Sequence, residues 1–242
     1  MRTKAWHRHM ARLVVVGALA GAASSAIRAD ETPSATAEDQ PALVPLDPKA
    51  RVWIDKAQKR VVMVGKVCLR QGQLEMFACP EGTKEHESVL SVPVAAEKVH
   101  AALLAVDAAP GRPVQFQPKY RGATGSIIDV SLYWTDDAGK RRSAWAQDWV
   151  QDSTTGKALD QPWVFAGSGF WRDEQTGKES YMANQGELIC VSNFPSAMLD
   201  LPIESSDKAG QLLFNAFTER IPPIDTPVTI VLTPRPAQEK KE

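Results

Sequence analysis

Apolar residues recur at every second position through most of this chain. Arg51-Val52-Trp53-Ile54-Asp55 and the run from Arg60 to Leu69 are rich in β-branched residues and are separated by a short polar turn. Leu74-Glu75-Met76-Phe77-Ala78-Cys79 follows after Gln71-Gly72. Turn residues at those breaks predict two hairpins in succession, a meander. Further on, Ile128, Val130, Leu132 and Trp134 alternate with Asp129, Ser131 and Tyr133. Asp136-Asp137-Ala138-Gly139 then returns the chain into Ser143-Ala144-Trp145-Ala146, the clearest hairpin in the sequence. A third begins at Trp163-Val164-Phe165, turns between Asp173 and Gly177, and continues through Ser180-Tyr181-Met182 and Glu187-Leu188-Ile189-Cys190-Val191. Val228, Ile230 and Leu232 mark a final strand.

Helical period occurs twice. Val99, Ala102, Leu103 and Val106 stand at i, i+3, i+4 and i+7, which predicts an amphipathic helix from about Ala95 to Asp107. The second predicted helix runs from Asp207 to Arg220, with Ser205 or Ser206 as N-cap, Leu213 and Phe217 four apart, and Pro222-Pro223 as the stop. Strands outnumber helices and come in hairpins. The expected fold class is therefore α+β: a mainly antiparallel sheet built from successive hairpins, with about two helices packed on one face.

The amino terminus breaks the pattern. Arg2, Lys4, Arg8 and Arg12 precede the acid-free apolar run Leu13 to Ala20, and small residues lead to Ala29. That is the layout of a secretory signal peptide over residues 1–29, cleaved after Ala29 or, because Ile27 is bulky, after Ala26. The apolar run is shorter than a membrane-spanning helix needs, and no later segment approaches that length, so no transmembrane segment is expected after cleavage. Cleavage removes five of the 28 basic residues and none of the 29 acidic ones, leaving 23 against 29. A mildly acidic chain lacks the basic footprint that neutralises phosphates, so nucleic acid is excluded as a partner class. Residues 30–50, rich in Pro, Ala, Thr and acidic residues without apolar period, read as a flexible tether, and residues 234–242 as a disordered tail. The protein is expected to be exported: periplasmic, attached to the cell envelope, or secreted.

Three cysteines, Cys68, Cys79 and Cys190, permit one disulfide and one leftover thiol in an oxidising compartment. Their number excludes a four-thiolate zinc site and an iron–sulfur cluster, and no other cofactor is expected. Cys68 and Cys79, read as lying on adjacent hairpin strands, fall out of register across Gln71-Gly72. If a disulfide forms, Cys79–Cys190 is the favoured pairing.

Candidate chemistry is densest between Cys79 and Leu90, where Glu81, Lys84, Glu85, His86 and Glu87 crowd one turn. An imidazole flanked by carboxylates can act as a general base or a metal ligand. The catalytic candidates are His86, Glu85, Glu87 and Cys79, and the metal-ligand candidates are His86 and His100. In an extended segment Glu85 and Glu87 would share one face and His86 and Ser88 the other, so any site must recruit groups from elsewhere, with His100 the first place to look. The plainer reading has His86 and Lys84 hydrogen-bonding the turn and the glutamates in solvent. Gly167-Ser168-Gly169 lacks the spacing of a nucleophile elbow and reads as a tight bend. Six tryptophans follow residue 29, five of them between Trp134 and Trp171 with Asp136, Asp137, Asp148 and Asp173 nearby. Indole faces beside carboxylates could bind sugar rings, or the indoles could simply fill the core.

Leu74-Glu75, Cys79 and Gly82-Thr83-Lys84-Glu85-His86-Glu87-Ser88-Val89-Leu90, followed by Val99-His100-Ala101-Ala102-Leu103-Leu104, resemble the YdjY-domain family of exported bacterial proteins. Trp163-Val164-Phe165-Ala166-Gly167-Ser168 and Asn193-Phe194-Pro195-Ser196-Ala197 fit its longer members. The resemblance implies a single YdjY-like domain over residues 51–233 and no assigned activity. A ferredoxin-like label carried by some members meets the cysteine count as an objection. The leading functional reading is a non-enzymatic binding or interaction module with an unidentified envelope or extracellular partner. Its alternatives are a metal-binding or acid–base enzyme centred on His86 and a carbohydrate-binding surface built on tryptophans.

Overall fold

A computed structural model describes residues 43–46, 51–205 and 213–236. The signal-peptide residues 1–29, the tether except residues 43–46, residues 206–212 of the second predicted helix and its cap, and residues 237–242 of the tail lie outside the described residues. Strands β1 (Val44–Pro45), β2 (Val52–Asp55), β3 (Arg60–Val67), β4 (Met76–Pro80) and β5 (Ser88–Val92) precede the helix α1 (Ala96–Ala105). β6 (Pro110–Arg112) and β7 (Thr124–Gly125) make a small ribbon, and β8 (Ile127–Thr135) and β9 (Arg141–Trp145) a long hairpin. After β10 (Val150–Asp152) and β11 (Trp163–Phe165), β12 (Phe170–Arg172) and β13 (Glu179–Tyr181) form a second hairpin. β14 (Ile189–Cys190), β15 (Leu199–Asp200), β16 (Phe214–Ala216) and β17 (Pro227–Pro234) complete the chain.

The strands close on themselves. β3, β17, β8, β11, β15, β14, β4 and β5 pair in that order, and β5 returns to β3, giving an eight-stranded barrel. This overturns the α+β expectation of an open antiparallel sheet covered by two helices. Alternation tells which face of a strand is apolar, but not whether the last strand returns to the first. The alternating residues line the interior as their period requires: Ile128, Val130 and Leu132 of β8 and Val228, Ile230 and Leu232 of β17 are fully buried. Each such side chain contributes roughly 1.5–3 kcal/mol by leaving water. Trp163, Phe165, Phe77 and Leu188 are buried in the same core. An eight-stranded barrel is just wide enough to be filled by side chains, and this one is filled.

Only one α-helix occurs among the described residues. α1 buries Val99, Ala102 and Leu103 against β2 and β3, the stripe its period predicted. The second helix is corrected: Phe214–Ala216 is a strand paired antiparallel to β10, and Thr218 to Arg220 is a turn. Phe214 and Ala216 are both buried while Asn215 is less so, a period of two that the four-residue spacing of Leu213 and Phe217 concealed. The meander is corrected too. β2 and β3 do form a hairpin, but β4 does not pair with β3. β5 lies between them, antiparallel to β3 and parallel to β4.

Two parallel pairs result, β4 with β5 and β14 with β15, joined by loops of seven residues (Glu81–Glu87) and eight residues (Val191–Met198). A parallel connection ordinarily takes a dozen residues or more and a helix. Seven residues reach at most roughly 23 Å, and returning along a strand such as β4 uses up about 13 Å of that. These loops have little slack and are drawn tight over the barrel wall.

β2 and β5 share one edge of β3, β2 taking Arg60–Met63 and β5 taking Lys66 and Val67. Gly65 lies at this fork, where a Cβ would stand 2.5 Å from the Ser91 carbonyl oxygen and 2.8 Å from Val92 Cγ1. Gly65→Val should therefore lower unfolding stability by about 1–3 kcal/mol, read as a lower urea midpoint. An unchanged midpoint would show that the seam is not closely packed there.

Candidate functional site

The turn between β4 and β5 is built around Lys84. Its ends are fixed by backbone bonds, Glu81 N–H to the Val92 carbonyl (2.8 Å) and Glu75 N–H to the Glu87 carbonyl (3.2 Å). Within it, the Glu85 carboxylate accepts from the Gly82 N–H, and Glu85–Glu87 is a single 3-10 turn. Lys84 Nζ lies 3.2 Å from Glu87, 3.5 Å from Glu75 and 3.5 Å from Glu187. It also sits 5.0 Å above the ring of Phe194. Its stem passes over Gly186, where a Cβ would come within 2.5 Å of Lys84 Cδ. Burial works against the charge on Lys84, but Glu87, Glu187 and Glu75 outweigh it and raise its pKa. Burial and the neighbouring Glu87 carboxylate push Glu75 up, partly offset by Lys84. One Glu187 oxygen is buried without a hydrogen-bond partner.

The turn between β14 and β15 is fastened to the same place. Val191 and Ser192 N–H both donate to the Glu75 carbonyl, at 2.9 and 3.0 Å, and Met198 N–H donates to the Glu187 carbonyl at 2.9 Å. Asn193 is fully buried and pins the turn: its Nδ2 donates to Asp200 Oδ1 (3.0 Å) and the Leu201 carbonyl (3.1 Å). Its Oδ1 accepts from Ser205 N–H (2.7 Å) and the Tyr120 hydroxyl (3.3 Å). Asp200 Oδ1 also accepts from Leu201 N–H (2.8 Å), while Oδ2 has no partner. Burial pushes the Asp200 pKa up to about 7 against the hydrogen bonds that hold its charged form.

The residues singled out in the sequence are dispersed. His86 projects into solvent with 77 % of its side chain exposed, its Nε2 3.8 Å from Glu87. Because residues 85–87 form a 3-10 turn, the two-face geometry expected of an extended segment does not apply. Glu87 is half-buried on Lys84 rather than in solvent, and Glu85 caps the turn. His100 is on α1, its Nδ1 2.8 Å from the Tyr181 hydroxyl, which donates to the Gly167 carbonyl at 2.9 Å. Its ring packs edge-on against Phe165, and burial lowers its pKa. The two imidazoles share no partner. Among the described residues no group of three His, Cys, Asp or Glu side chains is placed to hold a metal. Cys79 is buried on β4, level with Ser91 of β5. All three cysteines are free thiols, and Cys190 packs instead with Met76 and Ala197.

Lys84 and Phe194 thus join the two turns that carry the most distinctive sequence blocks. The model of the YdjY domain matches residues 52–233. The chain belongs to the YdjY-domain family. No curated protein and no solved structure matches it.

The site of this YdjY domain also draws on groups that sequence reasoning passed over. Nothing local to Glu187 or Asp200 in the sequence marks them, and only the fold brings Glu187 to Lys84 and Asp200 to Asn193. The i, i+3 spacing of Lys84 and Glu87 was a signal in plain view. The tryptophans divide: Trp149 and Trp163 are core residues, Trp53 and Trp134 are partly buried, and Trp145 and Trp171 are exposed by 54 % and 56 %. No helix among the described residues is long and apolar enough to cross a membrane.

Two outcomes follow for this YdjY domain. Lys84→Met leaves three crowded carboxylates uncompensated and should cost about 1–3 kcal/mol at pH 7, less than a fully buried pair because the ammonium is a quarter exposed to solvent; equal urea midpoints would contradict the role given to Lys84. For Asp200, folding raises the pKa from the ordinary 3.8 to about 7. The folded state therefore holds a proton that the unfolded chain has released, and the associated stability is complete below about pH 4 and is lost as pH rises through about 7. Asp200→Asn should abolish that decline, making the variant more stable than the parent by about 1–3 kcal/mol at pH 8. A parent whose denaturation midpoint does not fall between pH 4 and 8 would refute it.

Proposed function

We propose that the mature protein is an exported, non-enzymatic binding or interaction module of the periplasm, cell envelope or extracellular space. The observation that carries this reading is the commitment of the charges in the Lys84 turn: Lys84 pairs with Glu75, Glu87 and Glu187 where the two barrel turns meet. They are anchoring groups with little freedom to turn over a substrate. The filled barrel leaves ligand recognition to the outer surface. The basic, apolar and small-residue layout of residues 1–29 supports export.

A carbohydrate ligand is favoured by one surface. Ser131 pairs with Trp145 and Tyr133 with Ser143 across β8 and β9, so Tyr133 and Trp145 are diagonal neighbours on one outer face. They are exposed by 47 % and 54 %. Asp148 lies beside them, and a groove lined by Asp129, Trp145, Gln147, Asp148, Asp160 and Arg235 continues the surface. Two aromatic faces flanked by hydroxyls and carboxylates offer both stacking and hydrogen bonds to a sugar.

Two measurements test these readings. The intact mass of protein recovered after expression in a bacterial host should correspond to a chain starting at Asp30, and retention of residues 1–29 would remove the export reading. Titration with a panel of soluble polysaccharides should find binding that Trp145→Ala weakens about fivefold, as loss of about 1 kcal/mol of stacking implies. Binding unaffected by Trp145→Ala, or no binding across the panel, would discard the sugar reading and leave the module to a protein partner.

A further inference from the structure

The fork at which β2 and β5 share one edge of β3 leaves the backbone of Val64 without a strand partner. Val67 N–H donates to the Thr226 carbonyl at 3.1 Å, on the β17 side, and Cys68 N–H donates to the Val89 carbonyl at 2.9 Å, on the β5 side. Backbone groups alternate sides along a strand, so Lys66 also faces β5, Gly65 faces β17 and Val64 faces the fork. The ladder to β2 stops at Met63 and the ladder to β5 stops at Lys66. Carried on in the same register, β5 would set Pro93 against Val64, and a proline has no N–H to give.

A cavity of about 390 Å³ opens over this fork, lined by Arg51, Val64, Lys66, Glu81, Ser91 and Asp225 among others. Ser91 stands directly opposite Lys66, so the two side chains share the outer face of the barrel wall. Yet Ser91 is only 1 % exposed, and its hydroxyl has no hydrogen-bond partner. A buried hydroxyl left unpaired costs stability, and an oxygen atom of a ligand would supply the missing bond. The charges around it are unevenly matched. Lys66 Nζ lies 3.3 Å from Asp225 and 3.9 Å from Glu81, one cation for two carboxylates. Arg51 makes no ion pair with another described residue.

We propose that this fork binds a small zwitterion, a free amino acid or a dipeptide, through its carboxylate and its protonated amine. The carboxylate accepts from the Arg51 guanidinium, the Val64 N–H and the Ser91 hydroxyl. The ammonium lies against Glu81 and Asp225, whose two charges Lys66 only half offsets. Pro93, Pro227 and the Val64 side chain line the rest of the cavity and suit an aliphatic substituent. The volume is near the lower end of the range for small-molecule pockets, which leaves room for one or two residues and none for a longer peptide. The cavity shares no lining residue with the Tyr133 and Trp145 surface, and its ligand binds whether or not that surface takes a sugar.

The test is a titration of the isotope-labelled full-length chain followed by backbone amide NMR, with leucine and leucyl-leucine as zwitterions. N-acetyl-leucine, which lacks the ammonium, and leucinamide, which lacks the carboxylate, are the blocked forms. At least one zwitterion should shift the Val64 amide with a Kd of about 1 mM or tighter, and each blocked form should bind about tenfold more weakly or worse. Arg51→Gln, at an exposed position, should weaken the zwitterion by about tenfold, as loss of a charge-assisted contact implies. Tighter binding of leucine identifies a free amino acid as the ligand, and tighter binding of leucyl-leucine identifies a peptide. An unmoved Val64 amide at about 10 mM of both zwitterions, blocked forms that bind as well as they do, or unchanged affinity in Arg51→Gln would each overturn the proposal. The comparison of free and blocked ligands is made on the parent protein, so a variant that misfolds does not shelter it.

Discussion

The attraction between the Lys84 ammonium and three carboxylates carries more of this structure than its share of atoms suggests. Glu75 precedes β4, Glu87 precedes β5 and Glu187 precedes β14, while Lys84 and Phe194 belong to the two parallel connections. Short parallel connections are strained choices for a chain, because they must double back with almost no spare length. A cation at their meeting point holds both down. Without it, two or three negative charges would repel one another at a half-buried site, and the turns would lose their common anchor. The cage is electrically unbalanced even with Lys84 in place: burial, together with the Glu87 carboxylate, raises the Glu75 pKa in spite of Lys84.

This arrangement explains why the densest chemistry in the sequence is mostly architectural. Lys84 and Glu87 are consumed by the cage, Glu85 by the turn's own N–H, and His86 is left pointing outward. The second histidine has a similar fate: through Tyr181 and the Gly167 carbonyl it joins α1 to the bend after β11. On the proposed binding reading, packing leaves recognition to the outer surface. Trp163, Phe165 and Phe77 fill the middle of the barrel, and the aromatic residues that remain in solvent, Tyr133 and Trp145 among them, are those with the freedom to meet a ligand.

Local pattern was legible in the sequence and long-range pairing was not. Ile128 to Trp134 and the turn at Asp136–Gly139 announced the β8–β9 hairpin, and Val99 to Val106 announced α1, because in each case neighbours in sequence are neighbours in space. The Gln71-Gly72 break between β3 and β4 reads as a hairpin turn, because turn residues between apolar runs ordinarily mean antiparallel pairing. That misreading placed β4 beside β3, where the barrel has β5 between them. The helix expected across Leu213 and Phe217 failed differently, because a spacing of four is a multiple of two as well as a near-turn of helix. At the site, Lys84 and Glu87 were visible but Glu187 was not: it lies a hundred residues away, and only the closed barrel places it beside the turn.

The position of β17 has a consequence for how such a chain acquires its shape. The last strand of the fold is an interior stave, hydrogen-bonded to β3 on one side and to β8 on the other. A polypeptide delivered amino-terminus first, from the ribosome or through a membrane pore, can form the β8–β9 hairpin early, but it has a gap in its wall until residues 227–234 emerge. Pairing Pro227–Leu232 with Val61–Lys66 then closes a loop of nearly the whole domain in one entropically costly step. Until then the apolar edges of β3 and β8 are bare, and this interval, rather than the finished barrel, is when the protein is most exposed to aggregation or in need of a chaperone.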